Sequence, residues 1–449
     1  MAKKFDVIVI GSGPSSGQVI SQLLKTDKSI ASIDYHYGGT CALRGCTPKK
    51  AMENITTQVW MAKAAQGSGF PSFSGEAIWE QLVTHQRRFT ELVTANNKEQ
   101  WREQGVTVIE GKARFTGKKT LAVGEDRYQA KHIVIAAGAK PRSLDIDGAD
   151  LMLTSADFFN LQKLPRSIVF AGGGYIAFEL AHIAAAAGSK VTILSSEDKP
   201  LGMFDPDLVS QLIQSALAKG IDIQLGKKVI GVHRRGDKYM VVSENASTEA
   251  KSTLVANGVF NTTGRVPNIA SLDLEKADIE HDDSGIEVNE YLQTTNKNVY
   301  AVGDIIGRYP LTPVAGLEGK KAAQNIIKAK SAKMEYMCVP TALYTYPKLA
   351  SVGKSEKELL EKGIEYQKKQ GSTRDWLTEK SINNHYAGYK ILLSEDGEEI
   401  LGAHLMGSHA HDVINIFALA IQMDIPCSKI DNAIFAYPTA MSDVQSMLS

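Results

Sequence analysis

The sequence holds little that would tie it to a membrane, a polyanion or an oxidising compartment. Among 449 residues there are only four cysteines, and lysine plus arginine equal aspartate plus glutamate at 50 each. A balanced charge lacks the electrostatic footprint of a nucleic-acid or anionic-membrane partner, so neither is expected. No run approaches the roughly 20 apolar residues of a membrane-spanning helix. The opening MAKKFDVIVI meets glycines after a handful of apolar residues, too few for a signal-peptide core of about 7–15. These absences point to a cytoplasmic protein, where a lasting structural disulfide is unusual and a redox-active one is not. The length suits about three domains.

Two of the cysteines, Cys41 and Cys46, stand five apart in GGTCALRGCTPKK, residues 38–50. On an unbroken helix that step separates the Cα atoms by about 7.5 Å and turns the side chains about 140° apart. An unstrained disulfide reaches about 7 Å at most. Either the pair never bridges, or the segment bends, and Gly45 offers the freedom for a bend. A strained, accessible bridge is easily reduced. Half of a metal site is the alternative, although zinc usually takes tighter Cys-x-x-Cys pairs. Cys338 and Cys427 are isolated and read as small buried residues. His409-Ala-His411 reads as a loop or helix start rather than a metal pair.

A pattern of buried strand, glycine turn and helix occurs twice, in FDVIVIGSGPSSGQVISQLLK and in RSIVFAGGGYIAFELAHIAAAAGSKVTIL at 166–194. Glycines permit the tight turn, and the helix N-terminus then offers unpaired N–H groups and a positive dipole end to a pyrophosphate. One copy is a weak signal and two are much stronger. The first copy carries Gly11, Gly13 and, at the third small position, Ser16. Its second strand ends at Asp34, placed to accept a ribose hydroxyl. The second copy carries Gly172, Gly174 and Ala177, and its second strand is followed by Ser195 and Ser196, which leave the coenzyme's 2′ group unread. Later elements match in turn: HIVIAAGAKP, through Gly138, and LVANGVFNTTGRVPN, through Gly264 and Arg265. NKNVYAVGDIIG then places Gly303 and Asp304 at a strand's carboxyl end, where open α/β sheets bind ligands. A helix follows, with Thr312 expected as its cap and Pro313 at its first position. From about residue 336 alternating stretches and the turn SEDGEE predict an antiparallel sheet.

In this order the motifs GSGPSS, GGTCALRGCTPKK, AAGAKP, GGGYIAFE, TTGRVPN, YAVGD and AYPTAMSD resemble the FAD-dependent pyridine nucleotide-disulfide oxidoreductases across essentially the whole chain. The resemblance implies two Rossmann-like α/β domains and a C-terminal α+β domain. FAD binding would fall at 1–145 and 269–335, NAD(P) binding at 146–268, and a homodimer interface at 336–449. It implies that NAD(P)H reduces FAD and FAD reduces a Cys41–Cys46 disulfide, which then reduces a small-molecule acceptor. Cys46 would face the flavin and Cys41 would be the exposed thiol that attacks substrate. Lys49 would lie near flavin N5 with Glu179 as its partner, and Tyr175 would cover the nicotinamide pocket. Gly39 and Thr40 join the cofactor-binding residues, and the helix at Thr312 would aim its positive end at the flavin.

The resemblance breaks near the C-terminus. The family's disulfide reductases end in His-Pro-Thr-x-x-Glu, given to the partner subunit's active site, whereas here Tyr437 replaces the histidine and Ser442 the glutamate, with Asp443 one residue late. No histidine follows His411. Deprotonating tyrosine near pH 7 costs roughly 4 to 5 kcal/mol more than deprotonating histidine, from reference values of about 10 and 6.5. Losing acid–base help usually costs about 10² to 10⁴ in rate. Three readings follow: a glutathione reductase-like enzyme with altered acid–base equipment, a soft metal-ion reductase like mercuric reductase, or a carbon–sulfur-cleaving relative. Thiolates bind a soft metal, and its reduction needs no leaving-group proton.

Overall fold

The computed structural model describes residues 2–449 and divides into two compact units: Met1–Lys49, Thr84–Arg142 and Gly264–Glu335 form one, and Lys50–Val83, Ser143–Thr263 and Tyr336–Ser449 the other. The strands used below are β1 (Lys3–Ile10), β2 (Ile30–Asp34), β3 (Asp126–Ile135), β4 (Ser167–Ala171), β5 (Lys190–Leu194), β6 (Gly258–Asn261) and β7 (Val299–Ala301). The helices are α1 (Pro14–Leu23), α2 (Gly39–Arg44), α3 (Cys46–Ala64), α4 (Tyr175–Ala186), α5 (Pro206–Ala218) and α6 (Thr312–Ile327).

In the first unit β1 is the hub. It pairs in parallel with β2 on one side and β3 on the other, and β7 pairs in parallel with β3. The buried run Val7–Ile10 needs apolar cover on both faces, as parallel strands do. α1 and α6 pack together so closely that a Cβ on Gly319 of α6 would strike the Ser15 carbonyl. In the second unit the same wiring recurs, with β4 between β5 and β6, all parallel. Phe170 of β4 and Phe260 of β6 tilt together at 5.3 Å, and Phe158 meets Phe260 edge-on at 5.7 Å.

The two glycine turns superpose in their chemistry. Gly11 (φ +115°) and Gly172 (φ +117°) both adopt left-handed backbone, and a Cβ on either would run into a neighbouring carbonyl, that of Ala136 or Thr262. Only glycine fits such an approach. Gly11 N–H donates to Ile33 at 2.8 Å and Gly172 N–H to Leu194 at 2.7 Å, so each turn hangs on the end of the adjacent strand.

The expected antiparallel sheet is present in the second unit as five strands: 341–343, 348–353, 400–407, 388–393 and 367–372, in that spatial order. It is bolted to α5 by Lys390, whose side chain is 3 % exposed and meets Asp205 at 2.7 Å, Asp207 at 2.6 Å and Glu356 at 3.2 Å. Asp205 is also the N-cap of α5, accepting from the N–H groups of Asp207 and Leu208. Residues 50–83 group with this unit because α3 buries Val59 and Trp60 against Ala186 and Tyr346.

Candidate active site

The GGTCALRGC stretch does not form one helix. Gly38 (φ +118°) and Gly39 (φ +68°) turn the chain so that α2 starts at once. Gly45, with φ −139° and ψ −110°, then breaks it, and α3 begins at Cys46. The break brings both cysteines, present as thiols, onto one hydroxyl. Thr312 Oγ1 donates to Cys41 Sγ at 3.2 Å and stands 3.5 Å from Cys46 Sγ. The bend anticipated at Gly45 is therefore real.

The helix start differs from the expectation. Leu311 is the N-cap of α6, without a side-chain capping bond, and Thr312 is the first helical residue with Pro313 second. Thr312 does not cap because its hydroxyl is committed to sulfur. Sequence reasoning found Thr312 but gave it the wrong partner. Nothing in the sequence near residue 312 signals a contact with a segment some 270 residues earlier.

The pair also hydrogen-bonds to itself. Sharing one negative charge with Cys46, together with burial, pushes the Cys41 pKa well up, and the Thr312 hydroxyl offsets only part of this. Burial and the neighbouring thiol thus favour the protonated form of Cys41, while Cys46 opens α3 at the positive end of that helix. In exposure the order is the reverse of the expectation: Cys41 is half-buried and Cys46 exposed.

The remaining expected flavin residues in the first unit cluster at the strand ends. Asp34 terminates β2; it accepts from Ser12 Oγ at 2.5 Å and from the N–H groups of Tyr35 and His36 at 2.7 and 3.0 Å. Ser16 is fully buried with a hydroxyl that lacks a hydrogen-bond partner. Gly13 and Gly39 approach so closely that a Cβ on Gly39 would sit 2.5 Å from Gly13 Cα, while Thr40 follows in α2. Gly138 is left-handed (φ +66°), and Gly264 accepts the N–H of Arg142. Arg265 donates to the Ala139 carbonyl. Burial raises the Asp304 pKa, and the Arg265 charge works against that. Gly303 donates to the Glu318 carboxylate at 2.6 Å. Glu318, 1 % exposed in a face of α6 whose other buried residues carry no charge, was missed by the sequence reading, though a lone acid in that face was a usable signal. α1 and α6 both begin without a side-chain cap, leaving first-turn N–H groups for an anionic or electron-rich group. This donor set fits a flavin dinucleotide.

In the second unit α4 likewise begins uncapped at Gly174, with Tyr175 exposed at its first position. Glu179 lies one turn on, buried, accepting the Tyr344 N–H at 3.0 Å. Lys50, beside Lys49, lies 4.5 Å over the Tyr344 ring and pairs with Glu53 at 2.7 Å; the buried Lys348 holds the other Glu53 oxygen at 3.1 Å. The PKK motif thus opens a charged network that the sequence reading left out. After β5, Ser195 turns inward, its hydroxyl donating to the Glu197 carbonyl at 2.9 Å, so Ser196, Glu197, Asp198 and Lys199 are the exposed residues of that loop. Near the C-terminus Tyr437 is 79 % exposed, Ser442 caps its own turn through the Thr439 carbonyl, and Asp443 accepts from Thr378 at 2.5 Å. Asp443 is committed to its own unit. His409 stands at the N-cap position of the helix Ala410–Gln422.

The pyridine nucleotide-disulphide oxidoreductase model matches residues 5–319, and its dimerisation domain matches 339–448. The chain belongs to this family. Glutathione reductase of Burkholderia cepacia is 32 % identical, over 97 % of this chain and 96 % of that protein. Mercuric reductase of Staphylococcus aureus is 29 % identical, over 97 % of this chain and 80 % of that protein. Among solved structures, the Cu(II) complex of the HOCl-induced flavoprotein disulfide reductase RclA from Escherichia coli matches 100 % of this chain and 99 % of that one. It does so with a TM-score of 0.89 at 24 % identity, which shows the shared fold. The family's enzymes are flavoprotein disulfide oxidoreductases that use FAD and NAD(P)H, and this chain is one of them.

Proposed function

We propose that this enzyme passes electrons from NAD(P)H to a small disulfide through Cys41 and Cys46, as a homodimer with Tyr437 in the place of the usual histidine. The observation that carries the reading is the pair of thiols on the Thr312 hydroxyl at the uncapped start of α6. Bound FAD supplies the hydride acceptor that hands two electrons to the disulfide. The chain's residues do the rest. The bent Gly45 turn closes the thiol pair, burial and Cys46 favour the protonated Cys41 thiol, and the Tyr344 N–H fixes the Glu179 carboxylate within the second unit. Cys41 must give up its S–H proton to attack the substrate disulfide; as the new S–S bond forms and the substrate S–S bond breaks, that proton reaches the departing thiolate directly or through solvent, with no histidine to carry it.

That missing acid favours a second reading, reduction of a soft metal ion held by the two thiolates, which releases no thiolate leaving group. The mercuric reductase relative supports it. Turnover of the full-length flavoprotein with glutathione disulfide, lipoamide, coenzyme A disulfide, Hg(II) and Cu(II) separates the two. Under anaerobic NADH or NADPH, Cys41→Ser should retain a long-wavelength thiolate-to-flavin absorbance and Cys46→Ser should lose it. Loss in Cys41→Ser instead would reverse the roles assigned to the pair.

A further inference from the structure

Away from the thiols, one cation of the second unit is enclosed by rings. Lys219 ends α5 as its C-terminal cap. Its ammonium lies 5.5 Å from the ring centre of Tyr346, 5.8 Å from Tyr386 and 5.9 Å from Trp60. It donates to the buried Ser215 hydroxyl at 2.7 Å and weakly to the Ser215 carbonyl at 3.4 Å. Enclosed lysines usually meet a carboxylate; here π faces take that place. The charged or titratable groups that face the box are Lys63, over the same Trp60 ring at 5.1 Å, Glu379, whose charge acts on the Tyr346 phenol, and His182 of α4, which burial keeps neutral. The Lys219 ammonium is shifted by burial alone. Desolvation lowers its pKa to about 8, so about a tenth of the amine is an uncharged nucleophile at pH 7.

The same rings carry unmet donors. Tyr346 is 4 % and Trp60 6 % exposed, and neither the phenol hydroxyl nor the indole N–H has a hydrogen-bond partner. Buried donors without acceptors are costly. A group that removes the lysine charge and brings a carbonyl oxygen would answer both deficits.

We propose that Lys219 is an acylation site for small acyl phosphates, its ring-boxed amine attacking the acyl carbon and the new amide carbonyl accepting from the Tyr346 hydroxyl or the Trp60 N–H. The C–N bond forms as the bond from acyl carbon to phosphate oxygen breaks. Phosphate leaves with the electron pair, the extra proton on nitrogen goes to solvent, and no oxidation state changes. The proposal is independent of the redox reading.

The full-length flavoprotein is incubated with acetyl phosphate from pH 6.5 to 9, and acetylation is read lysine by lysine by mass spectrometry. Lys219 should react about five-fold or more faster than Lys118 and Lys333, whose Asp278 and Glu290 partners hold their protons. Its rate should level off above pH 8 while theirs keep rising. Labelling of Lys219 at their rate or below overturns the proposal. Tyr346→Phe and Trp60→Phe keep a ring and remove one donor each. At least one should slow Lys219 by about three-fold or more without lowering the melting temperature. Unchanged rates in both would overturn the role of the box.

Discussion

At the scale of single residues the thiol pair rests on one hydroxyl. Thr312 gives its one hydrogen to Cys41, so the start of α6 is tied to the thiols by a side chain that would otherwise cap the helix. The Gly45 break and the candidate thiols were legible in the sequence because glycine and cysteine each carry a local signal. The Thr312 contact was not, because its partners lie in distant segments. Tyr437 raises the sharper question. Its neighbours are already committed: Ser442 donates to Thr439, and Asp443 accepts from Thr378. Neither is placed to act as the carboxylate that would accompany a histidine. Restoring the pair by Tyr437→His with Ser442→Glu should therefore raise kcat for glutathione disulfide by about 10- to 100-fold. The gain should follow a pH profile with an inflection near the histidine reference of about 6.5. A variant with unchanged kcat would mean that Tyr437 does not stand in the histidine's place, or that another group already supplies the proton.

At the scale of elements the recurring device is a strand that ends in glycine before an uncapped helix. Its two copies were readable from sequence because left-handed turns admit little but glycine, and Gly11 and Gly172 have almost the same φ. Coenzyme choice was not readable, since two serines follow β5. The fold turns Ser195 inward and leaves Ser196, Glu197, Asp198 and a single cation, Lys199, outside, a loop with two carboxylates to one ammonium. A 2′-phosphate, with charge near −2, would face two carboxylates there, whereas a ribose hydroxyl can donate to one. NADH should have a kcat/KM at least about 10-fold above that of NADPH, the equivalent of about 1.4 kcal/mol. Ser196→Arg with Glu197→Gln should narrow or invert the ratio, and an NADPH preference in the unaltered enzyme would refute the assignment. A second element-scale device, the Lys390 bolt, was invisible because its three acids come from two separate segments. Lys390→Met leaves Asp205, also 3 % exposed, without its counter-charge, and should cost about 3–5 kcal/mol in a denaturant melt. Lys368→Met, at a more open pair with Glu356, should cost less than about 1 kcal/mol. Equal losses from the two would show that burial does not set the worth of the bolt.

At the scale of the whole molecule stability should depend on pH through imidazoles before it depends on carboxylates. Burial pushes His182 down to about 3, and burial with the nearby Lys348 charge pushes His411 down to about 4. His182 is 3 % exposed, with Nδ1 on the Phe178 carbonyl, whereas His411 is half-buried and Asp412, at 3.5 Å, partly offsets its shift. Both folded-state values lie below the unfolded reference of about 6.5, so below that pH the unfolded chain binds protons that the fold refuses. Their contribution is complete above pH 6.5 and drains away as pH falls, at about 1.4 kcal/mol per pH unit for each, or about 2 kcal/mol each by pH 5. The lowered carboxylates act later. Glu356, held at about 2 chiefly by Lys368, begins to lose its contribution only when pH drops through the unfolded glutamate range near 4.5. Thermal melts at pH 7 and pH 5 should therefore show a clear loss at the lower value. His182→Leu should reduce that loss by about 2 kcal/mol, since the substituted residue takes up no proton in either state. If the variant loses as much as the unaltered protein over that interval, the buried ring of α4 is not the group that titrates.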